Sequence, residues 1–208
     1  MNLRLIAQLY TLQKHISMFD GFKTVLTNLV PSLTDDEWAT IKRLASPTHL
    51  AAGEPLVNEG RVGCRIAYVH KGAFVYFTLH DGHKNVIGFD FEGDIAGDFH
   101  SFFEAAPAVK TVAALEDSDV LTLTYEQFEA LAERNPEFKQ IRATVASQLF
   151  EGVQARALEM QQYSAEERYR RLLRRSPHVI QRIPLYMVAS YIGVTPEALS
   201  RIRRRLVR

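Results

Sequence analysis

Cysteine is almost absent from this 208-residue chain, where Cys64 stands alone. A single cysteine excludes an intramolecular disulfide, a zinc site with two or more cysteine ligands and an iron–sulfur cluster held by four cysteines of one chain. A lone redox-active thiol stays open. No apolar run approaches the roughly 18 residues that span a bilayer. The N-terminal 20 residues lack a small-residue cleavage site and are interpreted as an amphipathic helix, so we expect a cytoplasmic protein without a membrane partner.

Signatures of catalysis and of metal binding are also missing. There is no glycine-framed serine nucleophile, no phosphate-binding loop and no dinucleotide-fold glycine fingerprint. A cupin-type metal site needs a close His-x-His pair, which the chain lacks. His80 and His83 flank a predicted turn. None of the seven histidines has the spacing of metal ligands: His15, His49, His70, His80, His83, His100 and His178. We expect no metal, no resident cofactor and no enzymatic activity.

Negative charge is scarce in the last quarter of the chain. Residues 1–162 hold 14 Lys and Arg against 21 Asp and Glu, a balance of −7, whereas residues 163–208 hold 11 Arg against three Glu, a balance of +8. This asymmetry favours an acidic body joined to a basic module that binds a polyanion. The alternative is a solvated basic face with no partner.

Residues 49–124 have the pattern of an all-β domain. Short segments rich in β-branched and aromatic residues, such as 73–79 and 120–123, are separated by glycines, which is typical of a sandwich or barrel. His80-Asp81-Gly82-His83 predicts a hairpin turn. Helical spacing precedes this region at 22–30, and Thr34 with Glu37 predicts a capping box for the next helix. The fold class expected is α+β.

A long helix is predicted from Pro136 to about Gln162, after a shorter one over 125–133. Its apolar residues recur at spacings of three, four or seven: Phe138, Ile141, Val145, Leu149, Val153 and Met160. Over 20 helical residues with a narrow apolar stripe favour a dimer contact of the coiled-coil kind. The alternative is a helix packed on its own β domain.

The last 25 residues have the pattern of a helix-turn-helix. Two short helices at a steep angle need a small residue where they approach and a turn residue that accepts positive φ, and Ala189 and Gly193 meet these needs. Thr195 is a suitable N-cap and Pro196 suits the first helical position. The angle between the helices is filled by Val188, Ile192, Val194, Leu199 and Ile202.

The outer face of the second helix carries groups that read DNA bases. Its candidate base-reading residues are Glu197, Ser200, Arg201 and Arg204. A carboxylate accepts from cytosine N4, and an arginine donates two bonds to guanine. The alternative is a surface Glu–Arg pair worth about 0.3 kcal/mol. The candidate phosphate contacts are Thr195, Arg168, Arg203 and Arg205.

These features together resemble the Crp/Fnr family of transcription regulators over residues 22–208. The run from Ala165-Glu166-Glu167-Arg168-Tyr169 to Leu199-Ser200-Arg201-Ile202-Arg203 is similar to the subgroup common in Bacteroidetes-type bacteria. The resemblance implies a cyclic-nucleotide-binding-type jelly roll, a dimerisation helix, a homodimer on double-stranded DNA with half-sites about 34 Å apart, and RNA polymerase as a further partner. Because the chain ends soon after the second helix, we expect the β-hairpin wing of the family to be short or absent.

The family's nucleotide-binding pattern is only partly present. Family members that bind cyclic nucleotides grip the phosphate with an Arg-Ser or Arg-Thr pair, and Ala108-Val109 stands at that place here. Alanine cannot make the bidentate contact of arginine, although Lys110 lies next to the pair. The candidate effector pocket consists of Gly93, Asp94, Gly97, Asp98, Lys110 and Thr111. We expect an effector other than cyclic AMP, or none, with cyclic nucleotide binding kept as the alternative.

Three segments follow from these patterns. Residues 1–124 are predicted to form the β-roll sensor domain with its N-terminal helices, 125–162 the dimerisation region, and 163–208 the DNA-binding domain. The runner-up is a cyclic-nucleotide-binding signalling module whose helical tail contacts a protein.

Overall fold

The computed structural model describes residues 17–177 and 181–206. The amphipathic helix predicted for the N-terminal 20 residues lies almost wholly outside these ranges. Two compact units are present, and the boundary between them falls inside the long helix that the sequence predicts. The first unit contains the described residues up to Tyr76 together with Phe89–Ala146. The second contains Phe77–Gly88 and the described residues from Ser147 onward.

Two capped helices open the first unit. Helix α1 spans Met18–Leu29 and α2 spans Asp35–Leu44. The predicted capping box is confirmed, because Thr34 Oγ1 accepts from the Glu37 N–H and the Glu37 carboxylate accepts from the Thr34 N–H. This exchange satisfies two N–H groups that a helix end otherwise leaves free.

Eight strands follow, in the region where the sequence predicts an all-β domain. They are β1 (Ser46–Leu50), β2 (Pro55–Val57), β3 (Arg65–Lys71), β4 (Phe74–His80), β5 (His83–Asp90), β6 (Ile95–Ala96), β7 (Thr111–Ala114) and β8 (Ser118–Thr124). They form two four-stranded sheets, ordered β1-β8-β3-β6 and β2-β7-β4-β5. The pairing of β3 with β8 is antiparallel, with Tyr68 opposite Leu121. Non-sequential neighbours in both sheets are typical of a jelly roll.

The hairpin between β4 and β5 has the turn that its sequence predicts. Asp81 has φ +49° and Gly82 has φ +75°. Positive φ at both central residues is the requirement of a type I′ turn, which matches the twist of the two strands. On β5, the Val86 N–H donates to the Ser190 hydroxyl at 2.9 Å, and that hydroxyl donates to the Lys84 carbonyl at 3.1 Å. One side chain thus satisfies two backbone groups of an edge strand.

A short helix interrupts the strands and was not predicted. Helix α3 spans Phe99–Glu104 between β6 and β7. Six residues are too few for a periodic apolar pattern to be recognised. The available signal was its cap, since Asp98 accepts from the Ser101 N–H three residues later.

Two hydrophobic clusters lie in the described core of the first unit. One packs α1 and α2 against β3, β8 and the helices that follow, and includes the fully buried Ile41 and Phe138. The other lies among the strands and includes Val69 and Phe74. Burial of a large apolar side chain is worth about 1.5–3 kcal/mol, so these clusters are the main stabilising contribution to the unit.

Five further helices lie in the described residues. They are α4 (Tyr125–Ala132), α5 (Pro136–Gln162), α6 (Ala165–Arg175), α7 (Leu185–Ile192) and α8 (Pro196–Leu206). The bounds of α4 and α5 agree with the helices predicted over 125–133 and 136–162 to within a residue. None of the helices in the described ranges combines the length and the apolarity that a bilayer crossing requires.

Candidate nucleic-acid interface and effector pocket

The turn between α7 and α8 is built as the sequence pattern requires. Gly193 has φ +74°, and the Val194 N–H donates to the Ala189 carbonyl at 2.9 Å. Thr195 caps α8, because its hydroxyl accepts from the Ala198 N–H at 3.3 Å. Ala189 is completely buried. A larger side chain at that position would have to displace a neighbour in a closely packed interior.

Apolar side chains fix the two helices to each other. Of the five residues predicted to fill the angle, four are buried and Val194 is half-buried: Val188, Ile192, Val194, Leu199 and Ile202. Met187 and Ile183 are buried with them, which sequence reasoning missed although both are apolar. This packing leaves the opposite face of α8 in solvent.

The candidate base-reading residues share that solvent face. Glu197, Ser200, Arg201 and Arg204 are all exposed and follow the i, i+3, i+4, i+7 spacing of one helical face. Among the described residues, neither Arg201 nor Arg204 makes a hydrogen bond or an ion pair within 4 Å. The pKa of Glu197 is lowered by a hydrogen bond from its own backbone N–H and by one from the Thr195 hydroxyl. The positive charge of Arg201 also lowers this pKa, so the face presents two arginines and one ionised acceptor.

The candidate phosphate contacts differ in whether their side chains already bond to other groups of the protein. Arg203 is exposed and makes no ion pair among the described residues. Arg205 lies 3.2 Å from the Glu166 carboxylate. Arg168 donates from Nε to the Ile192 carbonyl at 2.9 Å and from Nη1 to the Tyr163 carbonyl at 2.5 Å. Its guanidinium therefore links the end of α5 to the end of α7.

The candidate effector pocket is only partly assembled. Asp98 and Lys110 come together, with 3.4 Å between Oδ2 and Nζ. Asp94 accepts from the Phe91 N–H at 3.0 Å within its own turn, where Gly93 has φ +92°. Thr111 accepts from the Glu59 N–H at 3.2 Å.

Gly97 serves packing in the same region. A Cβ built on it would lie 2.8 Å from Ile66 Cγ2, closer than carbon atoms pack.

A buried acid that was not identified from the sequence, Asp90, lies close to the Asp98–Lys110 pair. Oδ2 of Asp90 is buried and has no hydrogen-bond partner among the described residues. Burial raises the pKa of the Asp90 carboxyl well above its ordinary value, negative charge on Asp94 raises it further, and Lys110 lowers it. Burial also raises the pKa of Asp94. No sequence pattern marks Asp90, because a strand-end aspartate is ordinarily exposed.

The apolar stripe of α5 changes its environment along the helix. Phe138 and Ile141 are buried in the core of the first unit and Val145 packs against it. Leu149, Val153 and Met160 are 45%, 69% and 41% exposed, and Phe150 beside them is 69% exposed. The helix thus packs on its own β domain at its start and presents an apolar face at its end.

The described residues contain no cluster of three His, Cys, Asp or Glu side chains that suits a metal ion. Cys64 is free and exposed.

Comparison with known families identifies the β region. A model of the cyclic nucleotide-binding domain matches residues 47–135. That range contains both sheets and the Asp98–Lys110 pair. The chain therefore carries a domain of the cyclic nucleotide-binding kind, with jelly-roll sheets and flanking helices. No curated protein is detectably similar to the chain.

Solved structures share the fold over most of the chain, and they include regulators of the Crp/Fnr family. FixK2 from Bradyrhizobium japonicum matches with a TM-score of 0.66 and 16% identity, covering 78% of this chain and 84% of its own. CLP from Xanthomonas campestris, described as a c-di-GMP responsive global regulator, matches with a TM-score of 0.66 and 15% identity over 83% and 91%. The catabolite activator protein of Thermus thermophilus matches with a TM-score of 0.53 and 21% identity over 86% of each chain.

Proposed function

We propose that the protein is a sequence-specific DNA-binding transcription regulator of the Crp/Fnr kind that acts as a homodimer. Helices α7 and α8 form its helix-turn-helix, and α8 enters the major groove. Arg201 and Glu197 read base edges there, with Ser200 and Arg204 beside them. Thr195, Arg203, Arg205 and Arg168 contact phosphates, which sets affinity and its salt dependence rather than sequence preference.

One observation carries this proposal: among the described residues, Arg201 and Arg204 on the solvent face of α8 make no hydrogen bond and no ion pair within 4 Å. By contrast, Arg170 on α6 is paired with Glu166 at 2.8 Å. The buried side chains of Leu199 and Ile202 fix the direction of α8. The balance of +8 over residues 163–208 attracts the same polyanion at longer range.

The likeness to whole regulators and the exposed end of α5 support a dimeric arrangement. Helix–helix contact through Leu149, Val153 and Met160 would place two copies of α8 on one duplex. The two would then read half-sites about 34 Å apart. RNA polymerase is a further partner that the proposed class of regulator implies.

The test is binding of the full chain to a randomised duplex library at two salt concentrations, followed by sequencing of the retained DNA. The expected result is a two-fold-symmetric motif with half-sites one turn apart and a steep loss of affinity at higher salt. Recovery of no motif, with little DNA held even at low salt, would contradict the proposal.

A matched pair of variants separates base reading from phosphate contact. Arg201→Ala is expected to weaken binding to the selected motif by about 1–3 kcal/mol and to relax preference at one base position. Arg203→Ala, two residues away on the same helix, is expected to weaken binding to selected and random duplexes equally. If both variants behave alike, Arg201 does not read a base.

The family match over residues 47–135 favours a second candidate, a cyclic-nucleotide-binding module whose helical tail contacts a protein. Titration with cyclic AMP and cyclic GMP, with and without selected DNA, distinguishes the two. A response to nucleotide combined with no DNA binding at all would support this second candidate.

A further inference from the structure

The carboxylate of Asp98 is fully buried and its two oxygens have different partners. Oδ1 accepts from the Ser101 N–H at 3.0 Å and thereby caps α3. Oδ2 accepts from the Val109 N–H at 3.2 Å and lies 3.4 Å from Lys110 Nζ. The side chain of Asp98 has no exposure to solvent, and that of Lys110 is 21% exposed. This pair is therefore held away from bulk water.

The partners of Oδ2 are those that a protein offers to a small oxyanion. A backbone N–H and an ammonium group converge on one point from the loop before β7, and hydrogen bonds from charged donors are about twice as strong as neutral ones. Lys110 Nζ also lies 5.9 Å from the centre of the Tyr76 ring, which restrains it from another strand. A carboxylate fills this point already.

We infer that Val109 N–H and Lys110 form an oxyanion subsite of the sensor domain and that the chain's own Asp98 carboxylate occupies it as a built-in ligand. The inference deepens the proposed function, because it concerns regulation of the same protein. The subsite lies at Ala108-Val109, where the resemblance to the Crp/Fnr family implies the grip on a nucleotide phosphate. A free phosphate would therefore have to displace Asp98.

Displacement is disfavoured by the surroundings. An expelled Asp98 would give up its hydrogen bonds from the Ser101 and Val109 N–H groups and its ion pair with Lys110 together. The charge of Lys110 acts on Asp90 as well as on Asp98. A second anion bound beside Asp98 and Asp90 would therefore be repelled by the negative charge already there. The sensor domain is thus expected to hold its arrangement without cyclic nucleotide.

Chemical rescue tests the built-in ligand directly. Asp98→Ala removes a carboxylate group and leaves a space that matches formate, so the variant is expected to unfold at lower temperature and to regain stability saturably with sodium formate. Asp98→Asn keeps the volume of the side chain but removes its charge, so it is expected to lose stability without rescue. Sodium chloride at equal ionic strength controls for general salt effects.

The role of Lys110 is tested in the same assay. Lys110→Met combined with Asp98→Ala removes the cation of the subsite, and formate rescue is expected to weaken at least several-fold. Equal rescue of Asp98→Ala and Asp98→Asn, or no rescue of folded Asp98→Ala, would overturn the inference.

A measurement on the unaltered protein keeps the test independent of how well the variants fold. In a 15N-labelled full chain, the amide resonance of Val109 is expected not to move when cyclic AMP or inorganic phosphate is added. A saturable shift of that resonance would show an open subsite and overturn the inference. Neither readout involves DNA, so failure here is distinct from failure of the proposed DNA binding.

Discussion

At the scale of single residues, the arginines differ in whether they already bond to other groups of the protein. Arg201 and Arg203 are exposed and make no hydrogen bond or ion pair within 4 Å among the described residues, whereas Arg168 donates hydrogen bonds to two backbone carbonyls. From the sequence, Arg168 and Arg203 were both predicted to contact phosphates, because charge and spacing carry no information on which backbone carbonyls lie nearby. The fold distinguishes them.

Arg168→Ala is expected to affect both folding and DNA binding. Loss of two hydrogen bonds to carbonyl groups lowers the free energy of unfolding by about 1–3 kcal/mol, as urea titration would measure. If its remaining N–H groups contact a phosphate, the slope of log affinity against log salt falls by about 0.9. Arg203→Ala is the control and is expected to change the slope with little change in stability. An unchanged slope for Arg168→Ala would restrict that residue to a structural role.

Asp90→Asn is expected to stabilise the protein at neutral pH and not near pH 4. The pKa of Asp90 is raised in the folded state by burial, so the folded protein retains a proton that the unfolded chain releases above about pH 3.8. Stability is then lost as pH rises from that value through the folded pKa. Asparagine does not ionise, so it removes this dependence, and the stability of the variant relative to wild type is expected to increase as the pH rises from 4 to 8.

Urea unfolding of both proteins at pH 4, 6 and 8 measures this effect. Asp36→Asn, at an exposed carboxylate in the first turn of α2, is the control and should alter stability equally at pH 6 and 8. A constant difference between wild type and Asp90→Asn at all three pH values would show that Asp90 does not titrate in this way.

At the scale of elements, turns and caps were the most predictable features, because each rests on one or two residues with a specific backbone requirement. The hairpin turn at Asp81-Gly82 and the capping box of Thr34 and Glu37 were both predicted from the sequence and are present in the structure. Helix α3 was not predicted because six residues are too few for a periodic pattern. The contacts of Asp98 with Val109 and Lys110 were not predictable, since they depend on a later part of the chain. The grouping of Phe77–Gly88 with the C-terminal helices likewise depends on long-range contacts.

Gly193→Ala is expected to destabilise the second unit by about 1 kcal/mol or more. Its φ of +74° is unfavourable for alanine, and the added Cβ would lie 2.7 Å from Met160 Cε. Gly53→Ala is the matched control, because Gly53 has φ +86° but open space around it. The difference between the two losses, measured by urea unfolding, isolates the contact with Met160. Adding Met160→Ala should remove that difference, and a loss that persists would rule the contact out.

At the scale of the whole molecule, α5 bears on two interpretations that the sequence left open. Periodicity alone cannot tell a stripe that packs on its own domain from one that contacts a second copy, because both need the same spacing. The structure divides the stripe: Phe138 and Ile141 are in the core of the first unit, and Leu149 and Val153 are exposed. A contiguous exposed apolar face beyond the core is typical of an interaction surface.

Val153→Glu is expected to convert the proposed dimer to a monomer. Val153 is 69% exposed and lies between Leu149 and Met160 on the apolar face, so a second copy would bury the new carboxylate without a partner. Ala155→Glu is the control, because it adds the same charge at an exposed residue on the opposite face of α5. Sedimentation equilibrium of the full chain should give twice the chain mass for wild type and Ala155→Glu, and a single chain for Val153→Glu.

The same variant separates the strength of dimerisation from the reading of DNA. Because two linked copies of α8 gain affinity through effective concentration, Val153→Glu should lose affinity for the two-fold motif by at least about 100-fold. It should retain weak binding to a duplex with one half-site, since Arg201 and Glu197 are unchanged in each monomer. Equal affinity of wild type and Val153→Glu for the full motif would contradict a dimer formed through α5, whatever the outcome for base reading.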